Sequence, residues 1–358
     1  MKTGLINLQA QKKPSETLQN AKLIYRVCFI PKIDNIGGPS TFQKKLFNSL
    51  QKRGIPTSYT GTTFEKFDVI LLINATKLIH KLSFAKLRGA RIIQRLGLPF
   101  HPNIWLNMNK GERIRSLIST VNQRMTRELF ADMIVYQSKY VQKCWNMLYG
   151  QSYKKSYVIY NGIDLSFFNP IGEKYIPKGE MCVVSVEGTQ PNPTESLAFN
   201  VVKELIVRGV KTELLVFGRA SNDTRMQYSK YSFVRFMGQV PNNVLPFYLR
   251  SAHVFLSNDY IAACPNSVLE ALACGTPIVG YKLGVLPELL KGTAGKCVHS
   301  GGAPWKYRKP NNISFLADAA IEIYEKYDQY SRSARRLAEE HYGLDHMVDQ
   351  YIQIFEVR

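Results

Sequence analysis

The chain reads as an α/β protein built of two doubly wound domains in tandem, whose carboxyl-end loops face a shared cleft. Three observations predict this. Short apolar runs alternate with helix-length amphipathic segments from residue 23 to the end. The alternation breaks once, over 161–180, and then restarts. The length of 358 residues suits two domains of ordinary size. Such alternation calls for parallel strands joined by right-handed helical crossovers.

In the first half, 23–30, Val69–Ile73, Arg91–Leu96, Met133–Tyr136 and 157–160 read as buried strands. They are short, rich in branched or aromatic residues, and bounded by Gly, Pro, Asn or Asp. Between them 40–52, 77–87, 111–130 and 139–148 read as helices. The stretch 161–180 holds two prolines and three glycines among polar residues and reads as a linker. Beyond it, 181–186, 213–217, 232–237, 253–256 and 276–280 read as strands, and 193–208, 242–250, 265–274 and 285–290 as helices. The chain closes with helical patterns over 312–340 and Leu344–Glu356, where apolar residues fall three and four apart. The expected division is an extra N-terminal segment 1–22, a domain 23–170 joined by the last helix 343–358, and a domain 171–342.

An apolar content of 45% belongs to a chain that buries real cores. No uncharged apolar run reaches the roughly 18 residues of a spanning helix. Residues 1–22 carry lysines but no apolar block of a secretory signal. The six cysteines, Cys28, Cys144, Cys182, Cys264, Cys274 and Cys297, are scattered without metal-site spacing, which fits reduced thiols in a cytoplasmic protein. The net charge of +20 is unevenly placed: residues 1–170 hold 26 basic and 8 acidic side chains, whereas 171–358 hold 21 and 19. The excess in one half points to an anionic partner there, a membrane surface or a charged substrate. Arg88, Arg91, Lys110, Arg113, Arg115, Arg124 and Arg127 gather in that half. No RNP aromatic motif, zinc module or helix-turn-helix pattern occurs, so no nucleic-acid partner is expected.

The densest chemical signal is the block 264–277, Cys264-Pro265-Asn266-Ser267-Val268-Leu269-Glu270 followed by Ala271-Leu272-Ala273-Cys274-Gly275-Thr276-Pro277. Pro265 suits a helix start, where a missing N–H costs nothing. The free N–H groups of Asn266, Ser267 and Val268 then point at an anion. Glu270, one turn further in, is placed to accept from vicinal hydroxyls such as those of a ribose. Gly37, Gly38 and Ser40 follow the first strand, where glycine lets backbone approach a diphosphate or sugar closely.

With 251–257 before that block and Leu286-Pro287-Glu288-Leu289-Leu290 after it, the sequence resembles glycosyltransferase family 4. The resemblance runs back through Leu215-Val216-Phe217-Gly218, Val234–Gly238 and Val158-Ile159-Tyr160-Asn161-Gly162-Ile163-Asp164 to Gly37-Gly38-Pro39-Ser40-Thr41, and covers 23–356. It implies the GT-B architecture: two Rossmann-like domains, an acceptor-side 23–170 and a donor-side 171–342, with the last helix crossing back to the first domain. It also implies retaining transfer from a UDP- or GDP-sugar to an acceptor hydroxyl; taken with the basic first half, the expectation is a cytoplasmic enzyme, peripheral to the inner membrane face, acting on a lipid-linked or cell-envelope glycan. No Asp-x-Asp triplet occurs, so neither a metal nor any other cofactor is expected, the nucleotide sugar being a co-substrate. The resemblance places His101 near the donor sugar, and Gly218, Pro265, Asn266, Ser267, Val268 and Glu270 around the donor.

The sequence departs from the family twice. The family carries a sugar-contacting glutamate separated by seven residues from the one at Glu270; Ala262 stands there, with Asp259 three residues earlier as a possible substitute. The stretch 187–195 lacks the Arg and Lys that grip the diphosphate in the family, leaving Arg219 and Lys282 as the cations at strand carboxyl ends. These departures keep open a sugar-nucleotide-binding protein without turnover, and the basic first half keeps open a soluble transferase acting on an acidic polysaccharide.

Overall fold

The computed structural model describes residues 25–34, 37–59, 66–77, 79–99, 109–187, 197–218, 222–228, 230–292, 294–301 and 312–357. In the first half the elements are β1 (Val27–Ile30), α1 (Gly38–Lys52), β2 (Thr57–Tyr59), β3 (Val69–Ile73), α2 (Ile79–Leu87), β4 (Arg91–Leu96), α3 (Lys110–Leu129), β5 (Met133–Tyr136), α4 (Lys139–Tyr149) and β6 (Lys155–Val158). In the second they are β7 (Met181–Glu187), α5 (Leu197–Val207), β8 (Thr212–Gly218), α6 (Asn222–Tyr228), β9 (Val234–Gly238), α7 (Leu245–Leu249), β10 (Val254–Ser257), α8 (Asn266–Ala273), β11 (Ile278–Tyr281), α9 (Leu286–Leu290) and β12 (Gly295–Val298). Three helices close the chain: α10 (Ile313–Glu325), α11 (Tyr327–His341) and α12 (Leu344–Glu356).

The described strands form two six-stranded sheets, ordered β2-β1-β3-β4-β5-β6 and β12-β11-β10-β7-β8-β9. Their pairings are parallel, for example Val69 with Arg91 in the first sheet and Met181 with Thr212 in the second. Strand order reverses between β1 and β3, and again between β7 and β10, so each sheet opens a crevice at its carboxyl edge there. This is the α/β, doubly wound, two-sheet architecture that the alternation predicts.

Several elements depart from expectation. β2 and β12 are edge strands with half-buried residues, so neither carries the continuous apolar run that marks a central strand. The last strand of the first sheet is Lys155–Val158 rather than 157–160, because Ile159 and Tyr160 leave the sheet. Ile159 turns into the core and the Tyr160 hydroxyl reaches Glu288. The pattern over 312–340 is two helices, broken at Lys326.

The core of the first sheet is filled on one face by α1 and by Met347, Val348, Tyr351, Ile354 and Phe355 of α12. Arg53, the C-cap of α1, also pairs with Asp345 and Asp349 of α12. The chain therefore crosses between the two sheets twice, at 161–180 and at 342–344, and the crossings lie side by side. Ile163 bridges Gly343, with its N–H donating to Tyr342 O at 2.8 Å and its carbonyl accepting from Leu344 N at 2.8 Å. A Cβ on Gly162 would stand 2.8 Å from Leu344 Cα, so only glycine permits this contact.

Candidate active site

The carboxyl edges of both sheets meet in a cleft of about 580 Å³, a size typical of small-molecule sites. Its first-domain wall is made by Gly37, Gly38 and Pro39 after β1, Asn74 after β3, Gly97 and Leu98 after β4, Gln137 after β5, and Gln123 of α3. Its second-domain wall is Val186 of β7, Asp259 and Ala262 after β10, and the run 263–267 that leads into α8. Asn161 lies at the floor, between them.

The start of α8 is the site's most distinctive feature. Pro265 occupies the N-cap position in extended conformation, one residue earlier than a first-turn proline, and no side chain caps the helix. Asn266 and Ser267 line the cleft, so N–H groups of the first turn border it with no side-chain acceptor. Val268 is fully buried beneath them. Glu270, one turn further in, is 7% exposed, and no hydrogen bond reaches its carboxylate among the described residues. Burial pushes its carboxyl up, opposed by Lys45 of α1, whose ammonium donates to Gly162 O at 3.3 Å.

Asn161 ties this helix tip to the first domain. Its Nδ2 donates to Cys264 O and to Asn266 Oδ1, each at 2.9 Å, while its Oδ1 accepts from Arg95 Nη2 at 2.6 Å. Arg95 is fully buried with its guanidinium 3.6 Å above the Phe42 ring, and burial lowers its pKa. The Cys264 thiol is pushed up to about 12 by burial, so it stays a neutral packing group. On the same seam Glu288 of α9 accepts from Lys139 N (2.7 Å), Tyr140 N (2.8 Å) and the Tyr160 hydroxyl (2.6 Å), capping α4 across the domain boundary.

Gly37 holds φ 152° and ψ 177°, a region open essentially to glycine, and a Cβ on Gly37 or Gly38 would meet nothing within 4 Å. Both glycines thus present bare backbone to open space in the cleft. Ser40 lies behind them, buried, with its hydroxyl donating to Ile33 O at 3.1 Å; it steadies the loop rather than lining the cleft. Gly218, at φ 92°, ends β8, and Lys282 is exposed at the carboxyl end of β11; neither is among the cleft-lining residues. His101, Arg219 and most of 187–195 lie outside the described residues, as does the segment 1–22.

Four cleft residues, Asn74, Gln123, Gln137 and Asn161, are not singled out as site residues by the sequence, although Asn161 lies in the run 158–164 that carries the resemblance. Three of them follow strands β3, β5 and β6, so position at a strand's carboxyl end was the available signal. Asp259 lines the cleft beside Ala262, surrounded closely enough by protein that desolvation pushes its carboxyl up. Of the seven clustered first-half cations, two are structural. Arg127 is 1% exposed, donating to Gly150 O at 2.7 Å, and Arg91 donates to Phe355 O. Among the described residues no three His, Cys, Asp or Glu side chains converge as a metal site, and no helix is long and apolar enough to cross a membrane.

Comparison with known proteins agrees with this layout. Residues 191–326 match the family model "Glycosyl transferases group 1". A subunit of the phosphatidylinositol N-acetylglucosaminyltransferase of Arabidopsis thaliana is 24% identical over 147 residues, 39% of this chain and 32% of that protein, so the match spans about a third of the relative's length. Among solved structures, sucrose-phosphate synthase from Thermosynechococcus elongatus superposes with a TM-score of 0.70 at 12% identity, over 92% of this chain and 98% of that one. Anabaena HepE, solved in complex with UDP and glucose, gives 0.67 at 14% identity, over 92% and 99%. At these identities the structures speak for a shared fold.

Proposed function

We propose that this chain, whose residues 191–326 match the glycosyltransferase group 1 model and whose two sheets have the GT-B architecture, is a family 4-like glycosyltransferase that moves a sugar, with retention, from a nucleoside-diphosphate sugar to an acceptor hydroxyl in the cleft. The carrying observation is the uncapped start of α8 on the cleft wall, with the Glu270 carboxylate one turn behind it. Helix-start N–H groups and the positive end of the helix dipole suit a diphosphate. Glu270 offers acceptor oxygens for ribose hydroxyls. Gly37 and Gly38, opposite, allow close backbone approach. In the transfer the bond from the anomeric carbon to the diphosphate oxygen breaks and a bond to the acceptor oxygen forms on the same face. The acceptor's proton leaves with the diphosphate. Among the described residues, backbone dipoles aimed at the departing charge are the stabilising groups, and the reading needs no metal ion. The solved complex of HepE with UDP and glucose supports a nucleotide-sugar donor.

Thermal unfolding with UDP, GDP and their sugars tests the donor reading, since a ligand bound only by the native state raises the melting temperature. One nucleotide series should raise it, and Glu270→Gln should weaken that ligand about tenfold. Identical melting with and without every nucleotide would sink the donor assignment. Ala262 in the cleft wall also favours a second reading, donor binding without turnover, which any measured sugar transfer or donor hydrolysis would remove.

We further propose a lipid-linked or cell-envelope acceptor met at the cytoplasmic face of an anionic membrane. Helix α3 supports this, because it packs with its polar side inward. Thr120, Gln123, Thr126 and Arg127 are buried, while Ile114, Leu117, Ile118 and Val121 are 46–59% exposed on one stripe. Lys110, Arg115 and Arg124 are exposed on the same helix. An apolar stripe with basic flanks suits the interface of an anionic bilayer. Co-sedimentation with phosphatidylglycerol vesicles at low salt should capture the protein, and Leu117→Ser with Ile118→Ser should release it. Equal, negligible binding by the parent at low and high salt would remove the membrane proposal.

A further inference from the structure

The first-domain wall of the cleft carries three amide side chains in a row, and their hydrogen bonding is incomplete. Gln123, on the inward face of α3, is 7% exposed. Its Nε2 donates to Ser119 Oγ at 3.3 Å, whereas its Oε1 is buried without a partner. Such a group costs free energy unless a ligand or water supplies a donor. Gln137, 8% exposed, makes no side-chain hydrogen bond among the described residues. It stands against Gly97, where a Cβ would come within 3.0 Å of its Nε2. Asn74 holds φ 61° and spends its Oδ1 on Gly97 N at 3.0 Å, and its amide nitrogen has no hydrogen-bond partner among the described residues. The described residues of this wall therefore offer both donors and acceptors, all uncharged. Among the described lining residues the sole charged side chain is Asp259, on the opposite wall.

Resting on the glycosyltransferase reading, we infer that Asn74, Gln123 and Gln137 form a subsite for the hydroxyls of an uncharged sugar. A hydroxyl both gives and accepts, as an amide does, so the two match in geometry and in polarity. Among the described residues, a uronate or sugar phosphate would instead meet no cation on this wall and a carboxyl opposite it. The sugar has two possible sources, the donor's transferred residue and the acceptor's terminal residue, and the recognition chemistry is the same for both.

Calorimetric titration of the full chain and of Gln123→Met and Gln137→Met tests this; the thioether keeps side-chain length and removes the amide. Gln137→Glu, which preserves shape and introduces charge, is titrated in parallel in case a Met variant fails to fold. Probes are UDP, GDP, UDP-glucose, UDP-N-acetylglucosamine, GDP-mannose, and neutral and uronate disaccharides presented with UDP. Each variant should bind a sugar-bearing probe about 3- to 10-fold more weakly than the parent, with affinity for the bare nucleotides retained. Weakening confined to nucleotide sugars assigns the subsite to the donor, and weakening on neutral disaccharides assigns it to the acceptor. Variants that fold and bind every sugar-bearing probe as the parent does overturn the subsite. So does a parent that binds none of these probes, or that prefers the uronates. A parent that binds neutral disaccharides but no nucleotide, with that binding weakened in the variants, keeps the subsite and rejects the donor reading.

Discussion

Asp259 illustrates how a cleft changes an ordinary side chain. It can be reached by solvent through the cleft, yet protein surrounds it closely and desolvation raises its pKa above the usual carboxylate value. Relative to the unfolded chain, the fold therefore disfavours the ionised form. No stability is lost below the ordinary aspartate pKa of about 3.9, and the cost of holding the ionised form grows as pH rises from there through the raised value. Asp259→Asn should thus melt like the parent near pH 3 and above it at pH 7. A gap that is equal at both pH values, or reversed, would show that the carboxylate is well solvated. The Ala262 side chain, beside it, has no polar atom, so among the described lining residues Asp259 is the one that carries a carboxyl.

The glycine turn before α1 makes its own prediction, because its two glycines differ in kind. Gly37 adopts a backbone conformation that side-chain-bearing residues rarely take. Gly37→Ala should therefore lower stability by about 1–3 kcal/mol in urea unfolding. Gly38 is the first residue of the helix and has open space around it, so Gly38→Ala should leave the melting temperature close to the parent's. Its methyl group would nonetheless stand in the cleft, and affinity for the nucleotide should fall. A Gly38→Ala protein binding nucleotide as the parent does would place the diphosphate elsewhere. Helix α3 shows the same separation of roles on two faces of one element: the inward face supplies Gln123 to the cleft, and the outward face exposes an apolar stripe.

The two sheets are joined by a seam rather than by a linker alone. Glu288 accepts from two N–H groups at the start of α4 and from the Tyr160 hydroxyl. Asn161 connects Arg95 to Cys264 and Asn266, and the paired crossings at Ile163 and Gly343 lie between. Glu288→Ala leaves three donors without their acceptor and should cost about 2–4 kcal/mol. The unfolding curve should also broaden or split, as the domains cease to unfold together. A single unshifted transition would mean that the seam contributes little to cohesion.

The alternation of apolar runs and amphipathic segments was enough to foretell both parallel sheets, since crossover helices and buried central strands leave that periodicity in the chain. The helix start at 265–268 was readable for a similar reason: proline, an uncapped turn and a following acid are local features. The edge strands β2 and β12 were not readable, because half-buried residues at a sheet edge lack an apolar run. Nor could the order of residues reveal that Arg127 is internal, that α3 turns its apolar stripe outward, or that Asn74, Gln123 and Gln137 share one wall. Those facts depend on which carboxyl ends the strand order brings together, and on what each helix face finds opposite it. Residues far apart in the chain become neighbours only once the sheets have formed and closed on one another.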